Sequence, residues 1–223
     1  MSERVVSAAL IAALLSLPAT AQEGLPTLPG PDGETPAIPL PPDDLDTPEA
    51  LPEEGIDLPS EELGRDAQLN ELFRQLADDE NENWPVIQSQ IWRVWRRSGS
   101  PSMDLLLSRG MKAMQSKDFN AAKLHLDDLV RLAPEFAEGW NQRATLFFMM
   151  EDYGRSISDI ERVLALEPRH FGALAGLGII LDRTGYDKSA LEAYRKVLEL
   201  HPNMPGAQQG VEKLSPEVDG REL

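Results

Sequence analysis

The sequence predicts an all-α chain, an α-solenoid of stacked helical hairpins preceded by a secretory leader and an unstructured acidic segment. Three observations lead there. Pro134, Pro168 and Pro202 lie 34 residues apart, and Pro101 lies 33 before the first of them. From Gln68 onward, apolar residues recur at helical spacing, two stripes to each interval. Near the same point the composition turns from proline and acid to leucine, alanine and arginine. A proline returning at one interval punctuates a repeated unit, and paired stripes of period 3.6 make that unit a helical hairpin.

Residues 1–21 read as a signal peptide. Arg4 opens a polar start, Val5 to Leu17 is uncharged, and Pro18-Ala19-Thr20-Ala21 ends in the small residues that signal peptidase accepts. The uncharged stretch is too short to cross a bilayer as a helix, and no second apolar run of spanning length follows. The mature chain is therefore expected to start at Gln22, exported, most simply to a periplasm, and without a transmembrane segment. Residues 22–66 hold 10 of the 18 prolines and 13 acids against the single base Arg65. Proline removes backbone donors and like charges repel, so this stretch is expected to be a disordered linker.

The repeated units align position by position. Residues 103–136 place Leu106, Gly110, Ala113, Ala122, Leu126, Leu129 and Pro134. Residues 137–170 place Trp140, Ala144, Phe147, Ser156, Ile160, Val163 and Pro168 at the same offsets. Residues 171–204 place Leu174, Gly178, Leu181, Ala190, Tyr194, Val197 and Pro202. This order resembles the tetratricopeptide repeat, whose W-x₂-L-G-x₂-Y…A-x₃-F…P pattern has the same length. Gly110, Ala144 and Gly178 are small where two helices of a unit must approach closely. The turns Glu151-Asp152-Tyr153-Gly154 and Thr184-Gly185-Tyr186-Asp187 separate the two helices.

Residues 67–101 form a further hairpin that departs from the pattern, with Leu76 and Gln88 at the small positions and a polar connection over 77–85. As a degenerate unit it is expected to cap the N-terminal end of the stack. Residues 205–223 are expected to supply a short capping helix, marked by Ala207, Val211 and Leu214, and a frayed tail.

Composition narrows the chemistry. The chain has 223 residues, no cysteine and a formal net charge of −17. That excludes disulfides and thiolate sites and argues against nucleic-acid binding. Most of the charge belongs to the linker, which carries −12, while residues 67–223 carry −5. His125, His170 and His201 have no second histidine at helical spacing, and no phosphate loop or hydrolase motif occurs. No metal, cofactor or catalytic residue is assigned, and the chain is not expected to be an enzyme. The run Arg93, Arg96 and Arg97 beside Trp92 and Trp95 fits either an anionic contact or a helix end whose dipole it complements.

The resemblance implies a site. In the tetratricopeptide family the first helix of each unit lines a concave face and presents five positions to a ligand. Those positions are Asp104, Leu107, Met111, Met114 and Gln115; Glu138, Asn141, Thr145, Phe148 and Met149; and Gly172, Ala175, Ile179, Asp182 and Arg183. They imply an apolar, methionine-rich trough for a segment of another protein, edged by Asp104, Glu138 and Asp182. The clamp by which some members hold a terminal carboxylate is absent, its places being taken by Leu107, Met111, Gly172 and Gly176. Two readings stay open. The trough receives a partner, making the chain an adaptor of the cell envelope, or the chain's own flanking helices fill it. A structural, self-associating module without a client is the alternative function.

Overall fold

A computed structural model describes residues 61–220, and those residues fold into nine helices with no strand among them. The predicted signal peptide, the linker up to residue 60 and residues 221–223 lie outside the described residues. The helices are α1 (Glu61–Leu76), α2 (Trp84–Trp95), α3 (Pro101–Gln115), α4 (Phe119–Leu132), α5 (Ala137–Met149), α6 (Tyr153–Leu166), α7 (Phe171–Arg183), α8 (Asp187–Leu200) and α9 (Pro205–Asp219). Hairpins α3–α4, α5–α6 and α7–α8 are the three repeated units, packed in chain order, and α9 lies on α8.

Each unit closes in the same way. Lys117, Glu151 and Gly185, again 34 apart, adopt left-handed backbone with φ of 58°, 59° and 79°. That conformation lets the next amide reach back to the helix just ended. Asp118 N donates to Ala113 O at 2.9 Å, Asp152 N to Phe147 O at 2.8 Å, and Tyr186 N to Leu181 O at 2.9 Å. Asp118 and Asp152 then cap the second helix by accepting from the amides of Ala121 and Arg155. Such caps satisfy amides that the helix itself leaves without partners.

The small residues meet large ones. A Cβ added to Gly110 would stand 2.8 Å from the Leu126 side chain, and one on Gly178 would stand 2.7 Å from the Tyr194 ring. In the middle unit Ser156 Oγ donates to Ala144 O at 2.8 Å. Tyr194 is held on both sides, because a Cβ on Gly210 of α9 would also reach its ring, at 2.5 Å.

The hairpin α1–α2 departs from the expectation. It does not cap the N-terminal end of the stack. Its side chains join one continuous core with α7, α8 and α9, far along the chain. The first unit can do without a cap because its outer face, Leu105 apart, is polar. Leu105, Ser108, Arg109 and Lys112 are exposed there, whereas the equivalent Gly139, Gln142 and Leu146, then Ala173, Gly176, Leu177 and Ile180, are buried in the next two units. A terminal repeat needs such a solvated face, and α3 provides it. Two boundaries also shift. Helix α1 includes residues 61–66, assigned from sequence to the linker. The last proline of that stretch is Pro59, and Glu61 and Glu62 suit the positive end of a helix. At the other end α9 runs past Leu214 and through Pro216 to Asp219.

Candidate functional site: a concave face that holds the chain's own hairpin

The third unit opens with Phe171 and Gly172, the first two residues of α7, and Gly172 is the first of its positions assigned to the concave face by the resemblance. Phe171 is fully buried and ringed by aromatic side chains from the hairpin. Trp92, Trp95 and Phe73 lie 5.5, 5.0 and 6.3 Å from it, centroid to centroid. Gly172 is occupied from outside, since a Cβ there would come within 2.5 Å of Trp92 Cη2. Helix α2 can offer these rings because Ile87, Ile91, Trp92, Val94 and Trp95 form one buried stripe along it. Trp92 and Trp95 are thus core residues, which removes them from any membrane-facing role beside Arg93 and Arg97.

Two histidines sit at the junctions between units, and both are fully buried. The His170 ring stacks on Trp95 at 4.1 Å with only 10° between the planes. Its Nδ1 accepts from Ala173 N at 3.1 Å, capping α7, and its Nε2 therefore donates to Glu138 Oε2 at 3.2 Å. Glu138 also accepts from Asn141 Nδ2 and Gln142 Nε2, at 3.2 and 2.7 Å. A buried carboxylate is tolerated where several donors share its charge, and Glu138 has three.

His201 lies between Trp84 of α2, at 5.1 Å, and Phe171, at 5.6 Å. Its Nε2 donates to Gln88 Oε1 of α2 at 2.8 Å, while its buried Nδ1 has no hydrogen-bond partner. Burial lowers its pKa to about 4. Further polar contacts tie the hairpin down. Arg169 Nη1 donates to Asn70 Oδ1 at 2.7 Å, with its guanidinium 4.6 Å from the Phe73 ring. Asn203 Nδ2 donates to Asp79 O at 3.0 Å.

The positions assigned from the resemblance fall into three groups. Asn141, Thr145, Ala175 and Ile179 are buried, as are Glu138 and Gly172. Leu107, Met111 and Met114 are buried in a second core cluster with Leu126, Leu129, Phe136 and Leu146, between the first two units. The first unit therefore offers less apolar surface than its methionines suggested. Asp104 is half-buried and accepts from Ser98 N and Oγ at 2.8 and 2.6 Å, which fixes the link from α2 to α3. Phe148, Met149, Asp182 and Arg183 remain as a half-buried strip at the far ends of α5 and α7. There the Arg183 guanidinium lies 4.7 Å from the Phe148 ring, and Asp182 pairs with Lys213 of α9 at 2.7 Å. Gln115 is exposed.

Sequence reasoning missed His170, His201 and Gln88. Their signal was weak but present: two histidines flanking repeat prolines, and a tryptophan-rich amphipathic helix lacking the small residue of a true repeat. Among the described residues no three His, Asp or Glu side chains group as a metal site, and no helix is long and apolar enough to cross a membrane.

A right-ordered stack of three 34-residue hairpins, with a concave face built from the first helix of each, defines a helical-repeat protein. Comparison with known proteins makes this specific. Residues 171–204 match the tetratricopeptide repeat family model. Over 153 residues the chain is 40% identical to a TPR repeat-containing protein of Rhizobium etli, an alignment spanning 68% of this chain and 75% of that one. It is 30% identical over 95 residues to small glutamine-rich tetratricopeptide repeat-containing protein 2 of Saccharomyces cerevisiae, spanning 43% of this chain and 28% of the yeast protein. Among solved structures, the first TPR of Spaghetti (RPAP3) bound to the HSP90 peptide SRMEEVD superposes with a TM-score of 0.51 at 22% identity. That match covers 54% of this chain and 95% of the other. The Sgt2 TPR domain from Aspergillus fumigatus gives 0.51 at 23% identity, covering 55% and 83%. The chain belongs to the tetratricopeptide repeat family.

Proposed function

We propose that this protein is a non-enzymatic protein-interaction adaptor of the cell envelope, exported to the periplasm, whose concave groove takes an amphipathic helix of a partner. One observation carries the binding mode: the groove already seats such a helix, α2, with Trp92 against Gly172 and Trp95 against His170. Apolar side chains at helical spacing, laid into a preformed groove, are a recurring mode of helix recognition. The solved relative bound to an HSP90 peptide supports a peptide-binding role for the fold. The lysine and arginine clamp for a terminal carboxylate is missing here, so a helix fits better than a chain end. The envelope assignment rests on the leader-like residues 1–21.

A photo-crosslinking residue at Met149, on the half-buried strip, tests the reading against one at Ser158, exposed on α6. The adaptor reading expects Met149 to capture a distinct envelope protein that Ser158 does not. Identical products from both positions would remove the groove from the account. The alternative is a structural module without a client, and it is favoured by the same self-occupied groove. It expects neither position to capture another protein. Export is tested by the mature N-terminus, expected at Gln22.

A further inference from the structure

Three features bear on how firmly the hairpin is held. It meets the solenoid chiefly through side chains, without the close helix-on-helix packing that joins α3 to α4 or α7 to α8. Its seat is polar at two buried points, and each holds a buried nitrogen without a hydrogen-bond partner, Trp95 Nε1 beside His170 and His201 Nδ1 at the other. The other nitrogen of the His201 ring is held by the hairpin itself, through Gln88. A neutral imidazole fits this clasp. An imidazolium does not, because its second N–H would be buried between Trp84 and Phe171 with no acceptor.

We propose that the α1–α2 hairpin is a detachable plug in the concave groove, and that proton uptake by His201 releases it and opens the groove. This rests on the adaptor reading of the groove and adds its regulation. The titratable groups on the surrounding elements include Asp78, Asp79, Glu80 and Glu82 in the α1–α2 connection, Arg93 on α2, Arg169 before α7, Asp187, Lys188, Glu192, Arg195, Lys196 and Glu199 on α8, and Glu212 and Lys213 on α9, and the seat's second imidazole, His170, is paired with Glu138. The four acids of the connection, Arg93, Glu199 and Glu212 are exposed. Arg169 is engaged with Glu167 and Asn70, and Lys196 with Glu199. Burial is what disfavours charge on His201, whose pKa falls from 6.5 to about 4. The docked ring binds a proton less readily than the ring set free. Docking is therefore complete above about pH 6.5 and weakens by up to about tenfold per pH unit as the pH falls toward 4.

The full chain reports its own state, because three of its four tryptophans lie on α2. Emission and acrylamide quenching are followed from pH 7.5 to 3.5, with far-UV circular dichroism in parallel. In the wild type the emission should shift red and quenching should rise between about pH 6 and 4 while helicity is kept. His201→Gln, which cannot titrate, should stay docked through that range. Gln88→Glu sets a carboxylate against the ring, holds the imidazolium, and should move the midpoint to lower pH by about one unit. Emission and helicity lost together in the wild type would overturn the proposal, as would an unchanged midpoint in His201→Gln. Should that variant fail to fold, Gln88→Glu decides alone, and a midpoint that stays or rises refutes the plug. No partner enters this measurement, so it fails independently of the crosslinking test.

Discussion

The Trp92 ring occupies the space beside Gly172 that a side chain would need, its Cη2 lying 2.5 Å from where a Cβ would stand. Gly172 is the second residue of α7, at a concave position of the third unit, and α7 has no other requirement for glycine there. Gly172→Ala is favoured by helix propensity yet leaves the tryptophan no room. Overpacking of this kind costs about 1–3 kcal/mol, enough to loosen a hairpin held by side chains. Tryptic cleavage after Arg93 or Arg97 should quicken while helicity stays close to that of the wild type. Cleavage at the wild-type rate would show that the ring can shift without cost.

Tyr194 makes the opposite case, because its contacts hold the stack itself. Its ring is pressed between Gly178 and Gly210, where added Cβ atoms would stand 2.7 and 2.5 Å away. Burial pushes its hydroxyl pKa up, with a smaller push from Asp182. Gly178→Leu should lower stability by roughly 1–3 kcal/mol through overpacking, read as a fall in the melting midpoint. Gly210→Ala should act the same way from the other side. A midpoint unchanged in both would refute this packing.

Arg143 clips the first unit to the second. Its guanidinium takes both oxygens of Asp159 at 2.7 Å and reaches Asp127 of α4 at 3.0 Å. Arg143→Met leaves Asp159 buried without its partner, which costs about 3 kcal/mol for a pair this sheltered. Burial already holds the Asp159 carboxyl above its ordinary pKa against the pull of Arg143, so protonation limits the loss. The double variant Arg143→Met, Asp159→Leu should recover much of it. Denaturant midpoints compare the three, and a double variant no better than the single one would contradict the assignment.

The three turns carry different residues at the left-handed position. Gly185 takes its left-handed backbone freely, while Lys117 and Glu151 hold the same conformation with a Cβ. Glu151→Gly should therefore stabilise by about 0.5–1 kcal/mol, the left-handed strain relieved exceeding the entropy glycine loses on folding. A lower midpoint would show that the Glu151 side chain contributes something its turn does not reveal.

How much of this was legible depended on range. The 34-residue interval, the small residues Gly110 and Gly178, and the turns at 151 and 185 all lie within one unit. Local spacing determines them, whereas Leu126, read from sequence as filling the seam to the next unit, packs on Gly110 of its own. Helix α1 reaches into residues 61–66, and this was not legible because the acids that mark a charged linker also suit a helix start.

Where the hairpin goes was a different kind of question. The Trp92 and Trp95 stripe declared that α2 must bury one face, and nothing in the chain order said against what. Burying Phe171, His170 and His201 settled it, pairing residues 75 to 113 positions apart, and the mostly polar face of α3 removed the competing seat. The sequence by itself determined the repeat and its turns, because those follow from neighbours along the chain. The tertiary structure decided that the concave face is already occupied, because that is settled by which distant surfaces exclude the most water together.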